Sequence, residues 1–262
     1  MGFVPLHIAV NRDDPNIDIV KALVKAYPLG ASIADNRGRL PIHYAVSRGE
    51  PCVDIVKLLL KAHPACIRAV DSDGKLPIHI LLDFSSPNFD VVKLLTDNYP
   101  NSLKASSLTT TSWLPLHQVL SHYPPPFKII RHVMESEKSA VSVAENLHGY
   151  LPLNMAINLL FLAQQRRNDV GGLDDQNAHK ILLLHPKIDV QICDTTEELN
   201  HAEIAAFLDS LIIRLLDIHR PAASHRTLIN WLPLHYLLLH KFPASLPLFL
   251  QLIQANPGDI IH

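Results

Sequence analysis

A proline followed by Leu or Ile and then His recurs along the 262-residue chain at a near-constant interval, and that interval constrains the fold more than any other feature. VPLH ends at His7, LPIH at His43 and His79, and LPLH at His117 and His235. Measured on the motif proline, Pro5, Pro41, Pro77, Pro115 and Pro152 stand 36, 36, 38 and 37 residues apart. Pro28, Pro64 and Pro100 each fall 23 residues after a motif proline, and Pro257 falls 24 after Pro233. A period of this length belongs to a stacked array, in which each unit buries its apolar side only against its neighbours.

Within a period the phases match residue by residue. The motif proline has no N–H to leave unpaired and a preset φ, so PLHIAV, PIHYAV and PIHILL each open a helix of about two turns. DIVKALV from Asp18, DIVKLLL from Asp54 and DVVKLLT from Asp90 predict a second, apolar helix. Its Asp lies at the positive end of the helix dipole, three residues before a Lys. The YP or HP that follows ends the helix, because proline disfavours helical geometry in the residue before it. About a dozen residues with a polar DNRG or DSDG turn then predict an extended hairpin finger.

Asp35, Gly38, Pro41, Ile42 and His43, and likewise Asp71, Gly74, Pro77, Ile78 and His79, follow the D-x-x-G-x-T-P-L-H phrase that opens the first helix of the ankyrin repeat; the chain resembles that family over nearly its whole length. The resemblance implies an all-α solenoid of helix-turn-helix units joined by hairpin-like fingers. The family's Thr before Pro is Val or Leu here, so a hydroxyl cap is missing. Proline replaces the glycine usual after the second helix, and the units run about three residues over the family's 33.

One repeat domain over 1–262 is expected, regular over 1–150, irregular or inserted over about 160–220, with a final unit over about 226–262. The 81 residues from Pro152 to Pro233 leave the count at six or seven. Pro186 and Pro221 favour an extra, degenerate unit from about Leu199 to Pro221. The competing reading is an insertion, because HAEIAAFLDSLIIRLLDIH contains no breaker. RRNDVGGLDDQN is the expected mobile loop. Neither end of the chain has a polar capping unit, so further repeats of a longer parent chain are expected.

Composition narrows the function. At 48% hydrophobic and 18% charged residues the chain is too apolar for disorder. With 23 Lys and Arg against 25 Asp and Glu, and no run of one sign, nothing supports a grip on nucleic acid or on an anionic membrane. No apolar run reaches the roughly 20 residues needed to cross a bilayer. Cys52, Cys66 and Cys193 form no CxxC pair, which suits free thiols in an intracellular, first of all cytoplasmic, setting with the nucleus left open.

Sixteen histidines raise the question of a metal or acid–base site. Five of them repeat at one structural position, His7, His43, His79, His117 and His235, and Asn154 fills it in the fifth motif. A ring that bridges backbone groups is therefore preferred, with Pro5, Pro41, Pro77, Pro115, Pro152 and Pro233 as its partners in the motif. His117 with His122, and His235 with His240, are five apart, where a helical zinc pair wants four. No nucleophile or phosphate-loop phrase occurs, and no cofactor is expected.

The position two before the motif proline holds Phe3, Arg39, Lys75, Trp113, Tyr150 and Trp231, and is expected to face outward. In ankyrin proteins it belongs to the partner-binding surface, and aromatic and Arg side chains are the usual interface anchors. A second row follows the first helices and includes Arg12, Arg48, Phe84 and His122. A non-catalytic scaffold that binds another protein through fingers and first helices is the leading expectation; a histidine-based metalloprotein or enzyme on the concave face is the alternative.

Because array stability is a sum over units and their neighbours, residues 1 to about 111 are expected to fold alone. A helical circular dichroism spectrum and a cooperative melt of that piece would agree; a random-coil spectrum would not.

Overall fold

The computed structural model describes residues 2–84, 86–107, 112–168, 191–192, 201–228, 232–235 and 246–255. Its contacts gather into two compact units: Met1–Gln118 with Arg131–Glu137, and Val119–Ile130 with Lys138–His262.

Unit 1 is a stack of helix pairs: α1 (Pro5–Val10) with α2 (Ile17–Ala26), α3 (Pro41–Val46) with α4 (Val53–Ala62), and α5 (Pro77–Leu82) with α6 (Phe89–Asn98). α7 (Pro115–Val119) opens the next pair, with α8 (Phe127–Ser136) after it. Each first helix packs on the next first helix, α1 on α3 and α3 on α5, and each second helix on the next second helix, α2 on α4 and α4 on α6. Ile42, Val46, Ile55, Leu59, Ile78, Leu82, Val92 and Leu95 fill the core.

The prolines punctuate as expected. Pro5, Pro41 and Pro77 are the first residues of their helices. Tyr27, His63 and Tyr99 end the second helices, and the prolines after them open 3-10 turns at Pro28–Ser32, Pro64–Arg68 and Pro100–Lys104. The recurrent Asp reaches its Lys in α2 and α4, at 3.3 Å for Asp18–Lys21 and 3.7 Å for Asp54–Lys57; in α6, Lys93 pairs with Asp97 instead.

Loss of the hydroxyl cap is made good by the histidine. The Leu40 N–H donates to Nδ1 of His43 at 2.9 Å, three residues on, so the ring caps the helix start from inside. With Nδ1 accepting, the proton sits on Nε2, which donates to the Ala69 carbonyl at 3.1 Å. His7 does the same with Val4 and Arg39, and His79 with Leu76 and Ala105. Each ring thus bridges its own helix start to the chain that follows. His117 caps Leu114 at 3.3 Å, His235 caps Leu232 at 3.0 Å and Asn154 caps Leu151 at 3.0 Å.

The fingers are tighter than the expected hairpin. Two backbone bonds, Asp35 N–H to the Arg39 carbonyl and Gly38 N–H to the Asp35 carbonyl, close the first, and the Asp35 side chain accepts from the Arg37 and Arg39 amides. Asp71 repeats this with Asp73 and Lys75. Gly38 and Gly74 turn the chain at φ +71° and +68°, the left-handed region that favours glycine. Neighbouring fingers are joined by the Ser72 amide, 2.8 Å from the Arg37 carbonyl.

In unit 2, α9 (Pro152–Asn168) packs along α10 (His201–Ile218), and α11 (Leu246–Ala255) packs on α10. α10 is one continuous helix over 201–218, within the Leu199–Pro221 stretch assigned to an extra unit. The Leu228 amide donates to the His148 carbonyl at 2.9 Å, the same finger-to-finger bond as Ser72 to Arg37. α9 and α10 pack on one another, and no breaker interrupts 201–218, within the stretch where the extra unit is expected; Pro186 lies outside the described residues. His122–Tyr123 pairs in parallel with Gln191–Ile192. Of RRNDVGGLDDQN, the first three residues close α9, and the rest lies outside the described residues. No described helix is long and apolar enough to cross a membrane.

Two expectations follow. Asn16 and Asn88 cap α2 and α6 through Oδ1, whereas Cys52, at the same phase ahead of α4, makes no side-chain cap; Cys52→Asn is expected to add about 1 kcal/mol in denaturant melts, and no gain would show the site cannot use a cap. His43 and His79 are held below the ordinary histidine range, first by burial, which disfavours the cation. Their unfolded-state pKa is then the higher one, so the stability they contribute is complete above about pH 6.5 and is lost as pH falls below it. The His43→Gln, His79→Gln double variant should be less stable by about 1 kcal/mol or more at pH 8 and lose less between pH 6.5 and 5. Parallel pH profiles for parent and variant would contradict this.

Candidate protein-interaction surface

The row two before each motif proline holds adjacent repeats together in unit 1. The Arg39 Nε lies 3.1 Å from the buried Asp71 carboxylate of the next finger, with its guanidinium 6.0 Å over the Tyr44 ring. The Tyr44 hydroxyl donates to Asp35 at 2.5 Å. Burial raises the Asp35 pKa, but this hydroxyl and the Arg39 and Arg37 amides outweigh burial and leave it below the ordinary carboxylate range. Lys75 Nζ sits 2.6 Å from Asp83, whose other oxygen accepts from Gln118 at 2.8 Å. Arg39 and Lys75 are both half-buried. Phe3 lies edge-on to His7 with ring centres 5.6 Å apart.

Trp113 is half-buried, and its Nε1 has no hydrogen-bond partner among the described residues. Tyr150 is 1 % exposed, which corrects its expected outward position. The finger from Glu145 to Tyr150 has one residue more than that from Asp35 to Arg39, and its Tyr ring folds back to stack on His148 with centres 5.2 Å apart. Trp231 lies outside the described residues.

In the second row Arg12 is exposed, Arg48 is half-buried and donates to the Asp13 carbonyl, and Phe84 is half-buried. His122 is corrected from surface to interior: it belongs to the two-residue strand paired with Gln191 and is buried there. Among the described residues no group of three His, Cys, Asp or Glu could hold a metal ion.

Sequence reasoning missed the finger tips of unit 2. Glu145, one methylene longer than Asp35 and Asp71, reaches across the longer turn to accept from the Leu147, His148 and Tyr150 amides. The tip presents Leu147, 46 % exposed, and the neighbouring finger presents Leu228, 71 % exposed. The corresponding tips of unit 1 carry Asn36 and Arg37, and Ser72 and Asp73. Comparing these tips in the sequence alone would have marked the change from charged to apolar.

No curated protein matches the chain. A family model described as ankyrin repeats in three copies matches residues 6–106. Those residues contain α1 to α6 and the fingers between them, where histidine bridge and Asp-centred turn recur with a 36-residue period. Ankyrin repeats generally mediate protein–protein interaction. Over residues 6–106 the chain is thus similar to the ankyrin repeat family, in three copies of the repeat.

Proposed function

We propose that the chain is a non-catalytic scaffold that binds another protein through its fingers and the ends of its first helices. The observation that carries this is the division between what repeats and what varies. Pro, His, Asp and the apolar positions recur and are buried or bonded to backbone, whereas finger-tip residues differ from repeat to repeat and are exposed. A frame of this kind holds a changeable surface rigid, so little ordering is left for a partner to impose.

In unit 1 the surface comprises Arg12, Arg48, Phe84 and the exposed edges of Arg39, Lys75 and Trp113. In unit 2 it comprises Leu147 and Leu228, apolar side chains on two fingers fixed in register, which suit an apolar anchor on the partner. The histidine chemistry that an enzyme or metalloprotein would need is not offered by His7, His43 and His79, whose two ring nitrogens are both engaged by backbone. Cys66 is buried and its thiol is pushed up to about 12, which suits an inert cysteine of an intracellular protein.

Selection of binders from a random peptide display library against the whole chain tests the proposal. Enriched peptides should lose about tenfold or more in affinity to the Leu147→Glu, Leu228→Glu variant, while its melting curve is unchanged. Peptides that bind parent and variant alike would place the surface elsewhere, and stoichiometric zinc in the purified protein would favour the metalloprotein.

A further inference from the structure

The loop that follows the first helix is at least partly open to solvent in the first three repeats and closed in the fourth. Asn11, Arg12 and Asp13 after α1 are exposed, and Ser47 and Arg48 after α3, like Asp83 and Phe84 after α5, are half-buried. Their equivalents after α7, Ser121, His122 and Tyr123, are 4 %, 1 % and 2 % exposed. Successive strand residues point to opposite faces, so burial of both His122 and Tyr123 means that both faces of this strand are covered. Of Arg12, Arg48, Phe84 and His122, the last is the one withdrawn from solvent.

The backbone of unit 2 shows what lies along this strand. His122–Tyr123 pairs in parallel with Gln191–Ile192, His122 opposite Gln191 and Tyr123 opposite Ile192. Gln191–Ile192 stands between the end of α9 at Asn168 and the start of α10 at His201, in the stretch expected to be irregular or inserted. Ile188, Asp189, Val190, Gln191 and Ile192 alternate apolar and polar residues, the period of a strand with one apolar face. The ladder is two residues long and two strands wide. A sheet this small is marginal by itself, and parallel pairs are the weaker kind. A strand edge also offers its main-chain donors and acceptors to any extended segment that reaches it.

We propose that the His122–Tyr123 edge is a seat for an extended segment of a partner protein, added as a parallel strand, and that Gln191–Ile192 occupies this seat as the chain's own substitute for that segment. The inference rests on the partner-binding reading and deepens it, because the seat lies at the end of a first helix. While Gln191–Ile192 is paired there, the fourth repeat adds nothing to the row of Arg12, Arg48 and Phe84; its release opens a strand edge beside them in sequence phase. The partner segment this edge takes is an extended one of alternating apolar and polar residues, like the occupant. A two-residue edge reads such a segment through amides and carbonyls, which a helical ligand has already spent on itself.

The test uses the whole chain and its Gln191→Pro, Ile192→Pro variant, which lacks two main-chain donors of the occupant, together with a synthetic peptide of residues 187–194 carrying Cys193→Ser. The peptide is expected to bind the variant about tenfold or more tightly than the parent, whose seat is taken, and the same peptide with both prolines is expected to bind neither. Amide exchange at Ser121, His122 and Tyr123 should speed up in the variant and slow again when the peptide is added. Equal affinity for parent and variant would overturn the proposal, as would a variant that folds and binds no peptide. An earlier melt of the variant would make Gln191–Ile192 part of the core and overturn it as well. Because the peptide makes no use of Leu147 and Leu228, its binding should survive the Leu147→Glu, Leu228→Glu pair, which separates failure of the strand seat from failure of the finger-tip surface.

Discussion

The histidine ring that bonds a helix-start amide with one nitrogen and a later carbonyl with the other is the interaction on which the stack depends. A two-turn helix is too short to be stable by itself and starts here without a hydroxyl cap, so its first turn needs a partner from within. The same ring ties that helix to the segment leading into the next repeat. One side chain therefore satisfies local and non-local backbone groups together, and it does so as a neutral imidazole with the proton on Nε2. Burial that keeps His43 and His79 uncharged is what lets one nitrogen accept while the other donates.

Asn154 shows what the ring contributes beyond the cap. It accepts the Leu151 amide as the histidines accept theirs, but its Nδ2 is buried with no partner among the described residues. In the same unit the His225 Nε2–H donates to the Gly149 carbonyl, 2.9 Å away, so an imidazole from the other side ties these fingers. The shorter side chain keeps the local function and gives up the long-range one.

The periodic part of the fold was legible in the sequence because its determinants act within a few residues. Proline sets φ, histidine three positions into a helix caps it, and Asp two before an amide closes a turn. Surface assignment was less legible. Arg39 and Lys75 could be placed near the finger, but whether they pointed at a partner or at carboxylates depends on Asp71 of the next finger for Arg39 and on Asp83, at the far end of the following helix, for Lys75. Tyr150 was misplaced because one added finger residue redirects its ring inward. The repeat count was hard to read for a related reason: proline spacing at Pro186 and Pro221 resembles a pair of boundaries, while the run 201–218 between them carries no breaker and forms one helix. Leu147 and Leu228 were passed over because they lie off the motif, where no local rule marks them.

The match between carboxylate length and turn length has a consequence for how such a surface can change. Asp closes a turn of four residues, and Glu closes one of five, with the flanking helices undisturbed in either case. An insertion at a finger tip and the replacement of Asp by Glu are therefore complementary changes, each harmful without the other. Where an acidic residue closes the turn, the turn's length is thus recorded in that residue's identity, whereas the longer finger closed by the Ser107 amide on the Trp113 carbonyl has a serine at that position.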